Sequence, residues 1–391
     1  MPIPVWLPLL LGFLSAVGPL STDMYLPAFP AIEAALGQPR GAAQITLASW
    51  FAGLAIGQIA QGTLSDRFGR RWPLIIGTGL YTLATVGCAL SPDLTWLTVM
   101  RGLSALGGSA GMVITRAIVR DLTEGIASAR LMSKLMLVMG AAPILAPSLG
   151  GVVLAAFGWQ AIFWFCAAFG LICFCGVVFL LPETLPESRR VRLGPGAQIA
   201  RYVAILSERG FVTHALMGGC AMFGMFAFLA GSPPVFIERF GMSPPVYGAL
   251  FGVSAASFIL ASQINPRILP RFGPDRVMFW SSRAFLLSTV VLLAVAFTGW
   301  GGWLAVGLPI MASMCSQGFT MPNATVGALH RHAAHAGSAS ALMGTMQFSL
   351  AAVSGILAGL LVDGTARPMA VMMFLGAVGC VAADLCRPKR R

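Results

Sequence analysis

Apolar residues run through the chain in long blocks, each closed by a charged or Pro/Gly-bearing break. The blocks fall near 5–31, 42–64, 73–91, 95–117, 131–157, 159–181, 210–236, 245–266, 277–298, 302–325, 338–362 and 368–386. A helix of about 20 apolar residues crosses a bilayer. The two-residue alternation of a membrane β-strand is absent, so the twelve blocks predict transmembrane helices. The first block carries an anomaly. Its stretch "GPLSTDMYLP", residues 18–27, sets Asp23 among apolar neighbours. A charge in hydrocarbon is costly and needs a partner or a function.

Composition sharpens the class. Of 391 residues, 57% are hydrophobic and only 10% charged, against about 25% charged in soluble domains. That excludes a soluble fold and predicts an all-α polytopic membrane protein. The N-terminus "MPIPVWLPLLLGFLSAVG" has no basic leader and no clear cleavage site, so it is read as a retained first span. The longest polar break covers 182–210. It divides the chain into an N-terminal six-helix half (1–182), a linker (183–209) and a C-terminal six-helix half (210–391). The halves echo each other: "LSDRFGRR" at 64–71 follows the second span, and "LPRFGPDR" at 269–276 follows the eighth. Two pseudo-symmetric halves are therefore expected.

The net charge of +12 would suit nucleic acid if it lay along one face. It lies instead between the apolar blocks, which excludes a nucleic-acid partner. One set of loops and helix ends holds Arg67, Arg70, Arg71, Arg116, Arg120, Arg130, Lys134, Arg189, Arg190, Arg192, Arg201, Arg209, Arg267, Arg271, Arg276, Arg331 and the tail "RPKRR". The opposite set holds Arg40, Arg239 and Arg367. This asymmetry places the first set, and both termini, in the cytoplasm. The eight cysteines lie in apolar segments without a CxxC pair and read as small packing residues. His330, His332 and His335 read as a solvated loop with no metal site. No nucleotide-binding GxxxxGK[ST], no HExxH and no GxSxG occurs, so neither an ATP-driven pump nor a hydrolase has support. The chain is not expected to be an enzyme or to carry a cofactor.

Arg101 is a second charge inside a span. It lies about 9 Å from the outer end of its helix, and Asp23 lies about 12 Å in, at 1.5 Å per residue. Similar depth makes an ion pair possible, each charge offsetting the other's desolvation. Two alternatives stand beside it: Arg101 as an interfacial arginine that snorkels outward, and Asp23 as an anchor at the outer surface. From Arg101, the same helix face carries Ser104, Ala105 and Gly108, small residues that suit a cavity wall or a tight helix seam. A further stretch, "GAAPILAPSLGG" at 140–151, places Gly140, Pro143, Pro147, Gly150 and Gly151 in the fifth span. It predicts a bent helix, either a plain kink or a close seam between halves.

"GTLSDRFGRR", residues 62–71, resembles the loop 2–3 signature of the major facilitator superfamily. The resemblance implies the major facilitator fold, with Gly62, Asp66, Arg67, Gly69 and Arg70 as a cytoplasmic gate latch between the halves. The second-half copy has Pro270 where Asp66 stands, so a latch there is expected to be weak or absent. The 140–151 stretch is similar to the signature of drug/proton antiporters. "STDMYLPAFPAI", "QITLASWFAGLAIGQ", "RAIVRDL", "GWQAIFWF", "GSPPVFIERFGMSPPVYGALF" and "MPNATVGALHRHAAHAGSASALMGTMQF" resemble the bicyclomycin-resistance (Bcr/CflA) branch over about residues 12–365. The resemblance implies a monomeric, proton-driven exporter of small lipophilic compounds in the bacterial inner membrane. Asp23, with Arg101, would couple protons. Helices 1, 4, 7 and 10 line the cavity in that family, which assigns Met24, Tyr25, Ser104, Gly108, Met112, Phe226, Gln317 and Asn323 to substrate. Two other readings stay open: a dedicated exporter of one metabolite such as an amino acid or sugar, and a non-transporting membrane sensor.

Overall fold

The computed structural model describes residues 6–122, 125–190, 194–330, 332 and 335–388. Arg192, Arg331 and the last three residues of the tail lie outside this range, as do the side chains of Arg120, Arg130, Lys134 and Arg189.

Every predicted span is helical. The helices are α1 (Trp6–Asp23), α2 (Phe29–Ala35), α3 (Gln44–Phe68), α4 (Arg71–Ala89), α5 (Leu94–Leu122), α6 (Gly125–Phe157), α7 (Trp159–Leu180), α8 (Pro195–Leu206), α9 (Arg209–Pro233), α10 (Pro244–Phe272), α11 (Pro274–Thr298), α12 (Gly302–Leu329), α13 (Ala336–Leu360) and α14 (Arg367–Cys386). Ten helical stretches among the described residues are long and apolar enough to cross a membrane, and Ala141–Phe157 is a shorter one. The helix α3 falls outside that set because it carries Gln44, Thr46, Gln58 and Gln61. All four are buried, on the faces of α3 that pack against the rest of the bundle, whereas Ile45 and Ile56 are exposed on its outer face. Large apolar side chains on outer faces, such as Leu83, Phe179 and Trp280, are exposed, as a multi-pass membrane protein requires.

Two features depart from the sequence reading. The first block is not one helix. Pro27 has no N–H to donate to the Asp23 carbonyl, so α1 stops at Asp23, and a 3₁₀ turn (Leu26–Ala28) leads into α2. At the equivalent place in the second half, Pro233 and Pro234 end α9 in a π-helical turn, Pro234–Arg239. The linker, expected to be a polar connection, contains α8, which packs on α9 and α13. Its Ile205 is buried in a small apolar cluster with Phe211, Ala215 and Leu342.

Helix pairing repeats along the chain. In the first half, α3 packs on α5, α4 on α5 and α7, and α1 on α6. In the second, α10 packs on α12, α11 on α12 and α14, and α9 on α13. The repeated Arg-Phe-Gly ends α3 and α10 in the same way, with Gly69 at φ +94 and Gly273 at φ +75. That backbone region is one a glycine enters without strain. The two largest contacts between the halves are α3 with α13 and α6 with α10, and the 3₁₀ turn after α1 also touches α9 and α10.

Candidate functional site

Arg101 is 2% exposed and forms no ion pair among the described residues. Its guanidinium lies 4.4 Å from the Trp50 ring centroid, 4.5 Å from Tyr25 and 5.8 Å from Phe163. Tyr25 comes from the break after α1, Trp50 from α3 and Phe163 from α7. The Tyr25 hydroxyl is fixed in turn by Thr46. The Arg101 Nε and Nη2 have no acceptor. Aromatic faces attract a cation, so this cage substitutes in part for a counter-ion.

The expected Asp23–Arg101 ion pair is not formed. Depth along a helix follows from its rise, but direction follows from its turn of about 100° per residue. Ser21 bonds Tyr81 of α4 at 2.6 Å and so faces the first half. Asp23, two residues on, faces the other way. It lies close enough to the Tyr247 hydroxyl of α10 to act on it electrostatically. Tyr247 also bonds Ser232 of α9 at 2.8 Å. Asp23 is 5% exposed and is the one buried acid, among the described residues, with no hydrogen bond or ion pair. Glu33 accepts the Ala43 N–H at 2.9 Å, and Asp384 pairs with Arg283 at 2.5 Å and Arg387 at 3.0 Å.

The residues assigned to a substrate cavity sit in packed surroundings. Met24 and Tyr25 are fully buried. The Ser104 hydroxyl bonds the Arg101 carbonyl at 2.9 Å. A Cβ at Gly108 would meet Tyr81 at 3.2 Å, and one at Gly18 would meet the Met112 sulfur at 2.8 Å, so Gly108 and Met112 lie in seams within the first half. Phe226 packs against Phe51 across the halves, with ring centroids 3.9 Å apart and the rings tilted at 54°. Asn323 joins α12 to α10 by donating to Asn265 at 2.9 Å. Gln317 is buried with its amide unpartnered.

At the end of the bundle rich in arginine, the basic end, Arg70 is 3% exposed and bridges two carboxylates: Asp66 at 2.6 Å and Asp121 at 2.7 Å. Glu183, from the segment after α7, accepts the backbone N–H groups of Arg70 (2.8 Å), Arg71 (3.3 Å), Thr184 (2.9 Å) and Leu185 (2.9 Å). Burial pushes its carboxyl up, but these donors outweigh that and hold it below its ordinary value. A Cβ at Gly69 would collide with Glu183, so only glycine fits this turn. The ion pairs of Arg70 lie within the first half, and Glu183 ties its turn to the start of the linker. The contact across the halves is made by Asp66, whose carboxylate faces Gly337 in the first turn of α13, where a helix attracts negative charge. Arg67 joins neither carboxylate and stands exposed. Gly62 faces Ala341 across the halves with room for a methyl group. In the second half Pro270 lies inside α10, and the ion cluster is built elsewhere, with Arg387 between Asp275 and Asp384.

The α6–α10 seam closes the opposite end, the Arg40 end. Pro143 and Pro147 lie inside α6. Gly151 packs on the Pro244 carbonyl, Gly248 on the Pro147 carbonyl, and Gly150 directly on the Met24 carbonyl in the break after α1. Gly140 lies in α6, and its surroundings are outside the described residues. Arg40 and Glu238 join the halves at 2.8 Å, and Gln44 donates to the Ala230 carbonyl at 3.3 Å. Toward the basic end, by contrast, a cavity of about 150 Å³ opens between α3, α5 and α13, with α8 along one side. None of the eight residues assigned to substrate lines it. Its walls include Gln58, Asp66, Arg67, Arg116, Arg201 and Tyr202.

Sequence reasoning missed Trp50, Phe163 and Tyr247, whose contacts depend on helix rotation. Nor did it single out Asp121, which lies at the end of "RAIVRDL" and pairs with Arg70 only in the folded bundle. Comparison with known proteins agrees with this geometry. The Major Facilitator Superfamily profile matches residues 11–355. The MFS-type transporter YdgK of Bacillus subtilis is 34% identical, with 94% of this chain and 92% of that protein covered. The bicyclomycin resistance protein homolog of Haemophilus influenzae is 28% identical, over 93% and 92%. The multidrug resistance protein MdtL of Escherichia coli is also 28% identical, over 93% and 94%. The fold matches that of a D-xylose–proton symporter with a TM-score of 0.72 at 15% identity, over 97% and 96% of the two chains. The paired spans, the Arg70 cluster and the glycine seam of α6 thus stand in a chain that belongs to the Major Facilitator Superfamily.

Proposed function

We propose that this transporter is a proton-coupled antiporter that exports small lipophilic compounds from the cytoplasm. Asp23 is its proton-binding group. The observation that carries the reading is the placement of Asp23: buried, without a counter-ion, and turned toward the other half at the break between α1 and α2. An acid so placed changes its surroundings whenever the halves part, and a group whose hydration alternates can take up a proton on one side and release it on the other. Each charge moved gains about 2.3 kcal/mol per 100 mV, besides the pH gradient.

The arginine asymmetry supports a basic end that faces the cytoplasm, in the bacterial inner membrane. In that orientation the cavity opens toward the cytoplasm, and the α6–α10 seam and the Arg40–Glu238 pair close the outer side. The names of the Haemophilus and Escherichia relatives support drugs as the cargo. The reading has the protein work as a monomer, without a cofactor. The test is growth of an efflux-deficient host on a drug panel with and without the protein, followed by drug-driven proton release from liposomes. Drug resistance with no proton flux would leave export standing and remove the coupling.

A further inference from the structure

The cavity at the basic end has an electrostatic imbalance. On α5, Val113, Arg116 and Ala117 face it together, as residues three and four apart on a helix do. Arg116 lies six residues before Leu122, about 9 Å from the helix end. It makes no hydrogen bond or ion pair with any described residue. Arg67 of α3 and Arg201 of α8 line the same space. The sole acid among the lining residues is Asp66, and Arg70 already holds its carboxylate at 2.6 Å. The remaining polar groups include donors: the Tyr202 hydroxyl and those of Ser338 and Ser340 in the first turns of α13, whose N-terminus adds partial positive charge.

We infer that this cavity is a loading site for the anionic group of a small molecule, with Arg116 as its principal ligand and Arg201 as the second. The inference rests on the transporter reading for the fate of the bound anion, and it narrows the cargo to compounds bearing a carboxylate or a similar singly charged group. Arg116 is exposed to this recess and Arg201 is half-buried in it, and with no free carboxylate on the walls a ligand that brings the missing charge gains from several cations at once, more than it would from a lone surface arginine. Its planar fork matches a carboxylate through two parallel N–H···O bonds. A neutral isostere forgoes that gain. Because Arg201 sits on the linker helix, the anion would tie α8 to α5, and so the linker to the first half. A headgroup of an anionic lipid offers the same chemistry. The walls, however, come from α3, α5, α8 and α13 at the junction of the halves and not from a lipid-facing surface, which favours a free anion.

The test is equilibrium binding of radiolabelled benzoate and benzamide, equal in shape and different in charge, to the purified protein in phosphatidylcholine nanodiscs. Benzoate is expected to bind about tenfold tighter or more, the usual advantage of a hydrogen bond to a charged group. Arg116→Gln should abolish the preference, Arg116→Lys should keep part of it, and Arg201→Gln should reduce it. Equal affinity for the two probes overturns the assignment, and so does an undiminished preference in Arg116→Gln. Nanodiscs containing phosphatidylglycerol separate the sources. Unchanged benzoate binding there supports a free anion, and its displacement overturns the assignment in favour of a headgroup site. Binding is read without transport, so a protein that binds benzoate but moves no drug would sink the export reading alone.

Discussion

The Arg101 guanidinium rests 4.4 Å from the ring of Trp50, on the neighbouring helix, and Tyr25 covers it at 4.5 Å. A buried cation is thus held by π-faces, with no ion pair to an acid among the described residues. A stacked, desolvated pair of this kind contributes about 0.5–2 kcal/mol. In thermal unfolding of the purified protein, Arg101→Met and Trp50→Leu should therefore be non-additive, with a coupling energy in that range. Arg101→Lys should not restore it, because a compact ammonium cannot stack as a planar guanidinium does. Additive effects would remove the aromatic cage as the reason Arg101 is tolerated.

Arg70 supports the basic end of the first half. It is almost fully buried between Asp121, also largely buried, and Asp66, 43% exposed. Truncation to alanine leaves two carboxylates uncompensated, and breaking a buried pair costs about 3–5 kcal/mol. Arg70→Ala should accordingly lower folded yield and thermal stability sharply, and Asp121→Asn should come next. Asp66→Asn should fold well, since Asp121 still holds Arg70, and yet transport slowly because the contact with the α13 N-terminus is weakened. Thermal stability and drug efflux measured on all three variants check this order. Wild-type transport by Asp66→Asn would leave Asp66 without a gating role.

The Glu183 carboxylate ties the Gly69 turn to the segment after α7 by accepting backbone N–H groups from both. Its folded value lies below its unfolded one. A depressed acid stabilises above its unfolded pKa, and that contribution is lost as pH falls through the folded value. Limited proteolysis of this region should therefore be flat near neutral pH and rise in acid, below the ordinary carboxylate range. Glu183→Gln should be more labile at neutral pH and lose most of the acid dependence. An acid response identical in Glu183→Gln would place its origin in another group.

The span positions and the shared turn of the two Arg-Phe-Gly copies were legible in the sequence, because apolar run length and glycine conformation are local properties. The break at Asp23 was legible in principle too, since Pro27 cannot bond the Asp23 carbonyl. The first block is apolar on both sides of it, however, and an apolar run records burial rather than continuity. The identity of charge partners was not legible. Asp23 and Arg101 match in depth but diverge in rotation, and rotation is set by packing against α4, α7 and α10. Arg70 was picked out by motif, whereas Asp121 and Glu183, distant in sequence, meet it only in the folded bundle. The same holds for α8, whose apolar face gains its meaning from α9 and α13.

Gly150 allows α6 to touch the backbone of the break itself. A Cβ there would run into the Met24 carbonyl oxygen, which belongs to main chain and cannot swing aside. Gly150→Ala should therefore push α6 from the break, at about 1–3 kcal/mol, as overpacking typically does, and should depress transport. Gly196→Ala on α8 is the control, since a Cβ there meets nothing within 4 Å. Thermal stability and efflux should fall in the first variant and stay level in the second. Equal behaviour of the two would mean that the seam relaxes without penalty.

Asp23 lies within electrostatic reach of Tyr247 on the other half and has no ion pair among the described residues, which separates two accounts of how it would couple protons. If Arg101 were its partner, Arg101→Met would shift the pH midpoint of drug binding upward, because loss of a nearby cation favours the protonated acid. With Arg101 enclosed by Tyr25, Trp50 and Phe163 instead, the midpoint should hold in Arg101→Met and move in Tyr247→Phe, which removes a hydroxyl within electrostatic reach of the carboxyl. Asp23→Asn should bind drug with little pH dependence, since a fixed neutral amide imitates the protonated acid. It should release no protons when drug is added to proteoliposomes. Asp23→Glu should retain some exchange, displaced in pH. Drug binding across a pH series and drug-driven proton release, measured on the same preparations, decide the matter. Brisk drug/proton exchange by Asp23→Asn would show that the coupling proton resides on another group, however well Asp23 is buried.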